Sequence, residues 1–215
     1  NYNTQQMAAD MHKVLRSVGV EKTSVVGVSM GGMIAQYLAI DFPEFVERLV
    51  LTVTLSRPND VIKERCHAWI KSAEQKDYAA IMKDSALHSY SDQYLRKNKL
   101  MLNMISKIGS PKNFDRFITF SKACTTHNAY EELEKITSPT LVIGGKQDKI
   151  VTYGASEEIV SKIPNAKLKT YEEYGHALYE EAKDFNNVVY EFCCGEGQIK
   201  TSFQKKKKKG CQYFS

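Results

Sequence analysis

Apolar and polar positions along the chain alternate between two rhythms. Met7, Ala8, Met11, Val14, Leu15 and Val18 recur at helical spacing from Thr4 to Val18, and Gly19 closes that run. Ser24–Val28 is short, β-branched and uncharged, which predicts a buried strand. Met33 to Ile40 is rich in helix formers and stops before Phe42-Pro43. Arg48–Thr54 predicts a second buried strand, and Thr140–Gly145, entered through Pro139, a third. A helix over Ala155–Ile163 ends at Pro164. Lys167–Tyr171 then predicts a fourth, edge-like strand, and Ala177–Phe192 a last helix. Between Ser56 and about Lys135 the pattern becomes long, polar-faced and helical, rich in Lys, Asp, Tyr and Met, with no strand.

Strands alternating with helices imply right-handed βαβ units, and so a parallel sheet with helices on both faces. We expect an α/β fold divided as follows: 1–55 a first core part, 56–135 a helical cap inserted into it, 136–193 a second core part, and 194–215 a tail. No internal repeat is evident. With 215 residues, 42% hydrophobic and 26% charged, the chain can build one sizeable core.

Charge changes the picture only at the end. Six lysines (Lys200 and Lys205 to Lys209) against Glu196 alone account for the whole net charge of +5. The other residues balance, so no nucleic-acid partner and no membrane partner is expected. No apolar run approaches the roughly 18 residues that a membrane span needs, and no signal peptide is visible. Cys66, Cys124, Cys193, Cys194 and Cys211 are scattered and odd in number, without a C-x-x-C pair. That usage predicts reduced thiols, a cytoplasmic location, and neither metal nor cofactor.

The candidate chemistry begins at Gly27-Val28-Ser29-Met30-Gly31, which fits G-x-S-x-G between a strand and a helix. Ser29 is there either a nucleophile or a turn residue that caps the helix. A serine hydroxyl is a poor nucleophile at neutral pH, so it needs a base, and the base needs an orienting group. Asp148 lies just past the third strand and His176 just past the fourth. In a parallel sheet those strand ends share one edge, where distant residues converge. The rivals fit less well. His12, His67, His88 and His127 fall on or beside helices or in the cap, as surface or packing residues. Asp41 ends a helix, Asp184 lies within the last one, and Glu172 and Glu173 belong to a solvent-facing loop.

The segments "GVSMGGMIAQYLA", "PTLVIGGKQDKIV" and "EEYGHALYEEAKDFNNVVYEF" resemble the nucleophile elbow, acid loop and histidine loop of the α/β-hydrolase superfamily. The Ser-Met-Gly-Gly form is most similar to small esterase and enol-lactonase-like members, over roughly residues 4 to 193. The resemblance implies Ser29 as nucleophile, His176 as general base and then acid, and Asp148 as the carboxylate that holds the imidazole. It also implies that the Met30 N–H supplies half of the oxyanion hole. The substrate would be a small-molecule ester, thioester or lactone. Trp69, Tyr78, Met82, Tyr90, Tyr94, Met101, Met104 and Phe114 offer either substrate lining or the cap's own small core.

Two departures qualify that picture. Only about 24 residues precede the elbow strand, so the first strands of the family fold and the loop with the second oxyanion donor are expected to be missing. On this reading the chain is the carboxy-terminal part of a hydrolase. It would have an unpaired apolar strand edge prone to self-association, and its alternative function is that of a catalytically silent fragment. The tail "CCGEGQIKTSFQKKKKKGCQYFS" has neither periodicity nor family likeness and reads as a solvated, disordered extension.

Overall fold

A computed structural model of the chain describes residues 2–105 and 113–195. In chain order these form α1 (Thr4–Ser17), β1 (Thr23–Val28), α2 (Met30–Asp41), β2 (Val46–Thr52), α3 (Asp60–Glu74), α4 (Tyr78–Ser89), α5 (Asp92–Ile105) and α6 (Asp115–Thr126). A 3₁₀ helix (Tyr130–Lys135), β3 (Thr140–Gly145), α7 (Tyr153–Lys162), β4 (Ala166–Tyr171), α8 (Leu178–Glu181) and α9 (Phe185–Cys194) follow. The lysine-rich tail lies outside the described residues, as do the side chains of Met101 and Met104.

Local chemistry explains where the helices begin. Asn3 caps α1 in a reciprocal capping box with Gln6, and Asn59 and Asp77 cap α3 and α4 by accepting from Ile62 and Ala80 N–H. The four strands are all parallel and lie in the order β1-β2-β3-β4, so every crossover steps one place in the same direction. Successive residues of the inner strands face opposite layers. Leu49, Leu51 and Val142 pack with α1, α2 and α7; Val50, Leu141, Ile143 and Tyr171 pack with α8 and α9. This two-sided burial is why β3 reads as an unbroken apolar run. The outer strands differ, with Val26 of β1 45% exposed and Leu168 of β4 36% exposed.

Two elements differ from the sequence reading. β2 ends at Thr52, two residues early, because Val53 takes φ 42° while its N–H bonds Ile143 C=O. The last helix is broken at Ala182, whose backbone is extended. Ala182 and Phe185 both pack under the sheet there, and Asp184 stands exposed at the start of α9, accepting from the Tyr171 hydroxyl. Its apolar spacing is compatible with one continuous helix, so only these tertiary contacts mark the break. Among the described residues no helix is long and apolar enough to cross a membrane.

A polar cluster lies inside the α1–α2 layer. The Gln36 side-chain N–H donates to Leu55 C=O, which turns its oxygen toward His127 Nε2 at 3.3 Å. That nitrogen therefore carries the proton, and Nδ1 accepts from the Thr4 hydroxyl at 2.9 Å. Burial pushes the His127 pKa down to about 4. The unfolded chain takes up a proton near pH 6.5 that the folded chain refuses, so stability present above that pH is lost as pH falls toward 4. The loss should reach about 3 kcal/mol. Thermal melts at pH 7 and pH 4.5 should show a larger drop for the wild-type chain than for His127→Gln. Equal drops would remove His127 as the cause.

Candidate active site

The turn after β1 is built on a strained residue. Ser29 adopts φ 52° and ψ −121°, a region that L-residues rarely enter, and backbone bonds hold it there. Its N–H donates to Thr52 C=O at 2.9 Å, and its C=O accepts from Gly32 N–H at 2.9 Å. The Thr54 hydroxyl donates to the same carbonyl at 2.7 Å. Sequence reasoning missed this contact because it placed Thr54 inside the strand; the positive φ of Val53 swings it out toward the turn.

The glycines around the serine are not equivalent. A Cβ on Gly27 would meet Gly31 O at 2.5 Å and Gly32 Cα at 2.6 Å, both backbone atoms. One on Gly32 would meet the Thr54 side chain at 2.6 Å, whereas Gly31 has nothing within 4 Å among the described residues. The close approach of strand and helix thus requires glycine at 27 and 32, whereas the second glycine of G-x-S-x-G contributes only its carbonyl oxygen and has room for a side chain. Overpacking costs about 1–3 kcal/mol, so Gly27→Ala should lower the melting temperature by roughly 3–10 °C. Gly31→Ala should move it by less than about 2 °C, since alanine also favours the helix. Similar melting curves for the two variants would refute this division.

Asp148 sits in the loop after β3 and His176 in the loop after β4; they are 8% and 7% exposed. The His176 Nδ1–H donates to Asp148 Oδ2 at 2.9 Å, and the Ser29 hydroxyl donates to His176 Nε2 at 2.9 Å. Asp148 Oδ1 accepts from the N–H groups of Ile150 and Val151 at 2.8 and 3.0 Å, which locks the carboxylate plane. Residues 29, 148 and 176 thus form one hydrogen-bonded chain, and this arrangement suits proton transfer from the hydroxyl to the imidazole. Met30 is the first residue of α2, where an N–H has no acceptor within the helix and lies at the positive end of its dipole.

The other candidates lie elsewhere. His12 stacks on Phe42, His67 is exposed on α3, and His88 joins Asp84 and Arg65. Asp41 accepts from Gln5, and Glu172 and Glu173 are exposed. Trp69, Tyr78 and Phe114 pack into a small core among the inserted helices, and the Trp69 indole N–H donates to Asp84 at 2.8 Å. Tyr90 stacks on Tyr94 at 4.4 Å between ring centroids. Met82 of α4 is half-buried. Among the described residues no cluster of three or more His, Cys, Asp or Glu could hold a metal ion.

Known proteins resemble this chain in sequence and fold. A Caulobacter sp. (strain K31) protein named RutD, as a carbamate hydrolase, is 28% identical over 193 residues, covering 88% of this chain and 72% of its own. The crystal structure of MGS-M2, an alpha/beta hydrolase enzyme from a Medee basin deep-sea metagenome library, matches with a TM-score of 0.81 at 24% identity. That match covers 89% of this chain and 72% of the other. The enol-lactonase from Burkholderia xenovorans LB400 matches with a TM-score of 0.79 at 21% identity, over 90% of this chain and 74% of the other. The family model described as alpha/beta hydrolase fold matches residues 1–183. With the parallel sheet and its three converging strand-end loops, that match shows that the chain belongs to the alpha/beta hydrolase fold family.

Proposed function

We propose that the chain is a serine hydrolase that cleaves a small carboxylic ester, thioester or lactone through an acyl-enzyme on Ser29. The observation that carries this reading is the continuous chain from Ser29 through His176 to Asp148, with both links at 2.9 Å. The Ser29 oxygen attacks the carbonyl carbon while His176 Nε2 takes its proton. The Met30 N–H donates to the developing oxyanion. When the tetrahedral intermediate collapses, the bond to the leaving oxygen or sulfur breaks and His176 returns the proton to it. A water molecule, deprotonated by the same nitrogen, then attacks the acyl carbon; the bond from that carbon to Ser29 Oγ breaks, the acid leaves, and His176 returns the proton to Oγ. Asp148 accepts from Nδ1–H and so holds the imidazole in the tautomer that accepts at Nε2. No cofactor is needed.

The enol-lactonase among the structural neighbours and the hydrolase name of the RutD relative agree with acyl transfer. No basic cluster among the candidate lining residues favours a phosphorylated substrate, and because Trp69, Tyr78 and Phe114 pack into the inserted helices' own core, the acyl preference is left to experiment. A panel of p-nitrophenyl esters graded by acyl length, with a lactone and a carbamate beside it, tests the reading. Turnover of a short ester or lactone above the buffer rate is the expected result. A rate equal to buffer across the panel would favour the silent-fragment alternative.

The partner surface is the free side of β1. Val26 is exposed at a strand that pairs on one side only among the described residues, and such edges template pairing between chains. The isolated chain should therefore self-associate with rising concentration in size-exclusion chromatography, and Val26→Lys should shift it toward monomer. A wild-type chain that stays monomeric at all concentrations would refute this.

A further inference from the structure

The segment joining α4 to α5 touches the histidine loop on both sides of His176. Ala177, directly after the histidine, donates its N–H to Ser89 C=O at 2.8 Å. Gly175, directly before it, lies so close that a Cβ there would stand 3.1 Å from that same Ser89 oxygen and 3.1 Å from Gln147 O of the acid loop. Gln147 N–H in turn donates to Tyr174 C=O at 3.0 Å. One carbonyl of the inserted helices thus packs against both chain neighbours of the imidazole.

Two acidic residues of α8 hold that carbonyl in place. Ser91 donates its N–H to Glu181 Oε1 at 3.0 Å and its hydroxyl to Glu181 Oε2 at 2.5 Å, a two-pronged contact. The Ser91 oxygen also accepts from Tyr94 N–H, so the same side chain starts α5. The Tyr90 hydroxyl donates to Glu180 Oε2 at 2.6 Å while its ring stacks on Tyr94. Hydrogen bonds to carboxylates are stronger than neutral ones.

We infer that Glu181 and Ser91 are positioning residues for His176: their contact docks the α4–α5 junction against the histidine loop and thereby fixes where the imidazole stands. The docking of the inserted helices and the geometry of the base then form one coupled unit. This rests on the serine-hydrolase reading for its kinetic consequence, though not for its structural one. A misplacement of about 1 Å can cost roughly 10²-fold in rate, so Glu181→Ala should lower kcat about 10- to 100-fold. KM for a small ester should change little, because the reacting groups stay in place chemically and lose only their alignment. Glu181→Gln keeps an oxygen for the Ser91 N–H and should recover most of the rate.

The test pairs kcat and KM for p-nitrophenyl acetate with the low-field proton NMR signal of His176 Nδ1–H. The signal should be sharp in wild type and Glu181→Gln, and broadened by exchange in Glu181→Ala. Tyr90→Phe, which keeps the ring stack and loses only the hydroxyl contact, serves as a milder variant and should broaden it less. Variants that melt lower yet keep kcat and the sharp signal would show that the contact is merely structural and overturn the inference. A wild-type chain with the sharp signal but no turnover would sink the hydrolase reading alone. Loss of the signal in Glu181→Ala would then still carry the positioning role.

Discussion

Ser29→Ala should abolish labelling by a fluorophosphonate probe and lower the turnover of a short ester by up to about 10⁶-fold, the scale seen when a serine nucleophile is removed elsewhere. The substitution is well placed for a clean reading. Every contact that holds the turn runs through the backbone of residue 29: its N–H to Thr52, and its C=O from Gly32 and from the Thr54 hydroxyl. Alanine keeps all of these and tolerates φ 52° no worse than serine does. The only bond lost is the one from Oγ to His176 Nε2. A fall in rate without a fall in melting temperature would therefore identify the hydroxyl itself as the reacting group. Undiminished labelling of the variant would refute the assignment of Ser29 as nucleophile.

Asp148→Asn should lower kcat by about 10⁴-fold while the protein stays folded. The direction follows from how the carboxylate is shared. Oδ1 accepts two N–H groups, from Ile150 and Val151, and can only be replaced there by the amide oxygen. The amide nitrogen must then occupy the place of Oδ2, facing His176 Nδ1 at about the present 2.9 Å. Two donors cannot face each other, so Nδ1 becomes the acceptor and the ring proton moves to Nε2. There it points at Ser29 and blocks the transfer that catalysis requires. Rates within tenfold of wild type would show that the tautomer is not set by Asp148. Loss of folding is not expected, because the two backbone bonds to Oδ1 survive.

Much of the architecture was legible because parallel strands buried on both faces leave a plain apolar signature. Thr140–Gly145 could be bounded to the residue for that reason. The ends of β2 and of the last helix could not. Val53 is a β-branched residue at positive φ, a conformation that its sequence disfavours and only the bond to Ile143 and the packing around the turn maintain. Ala182 has good helix propensity, yet tertiary contacts of Asp184 and Phe185 end α8 there. At the site, Ser29, Asp148 and His176 stood out because strand ends gather on one edge. The Thr54 contact and the unequal glycines were hidden, since each depends on a distance between elements and on no residue pattern. The α4–α5 docking onto α8 was invisible for the same reason: Ser91 and Glu181 are 90 positions apart and unremarkable as letters.

The hydrogen bond between Ser29 and His176 spans 147 positions, and this separation has a consequence during synthesis. At about 5–20 residues per second, the ribosome adds the histidine roughly 7–30 s after the serine. Throughout that interval the nascent chain carries a serine that nothing can deprotonate. The sheet order means that β4, the last strand among the described residues, must dock before the imidazole arrives. Chemistry is therefore withheld until the histidine loop has been made and has docked, and recovered activity reports the pairing of β4 with the strands before it.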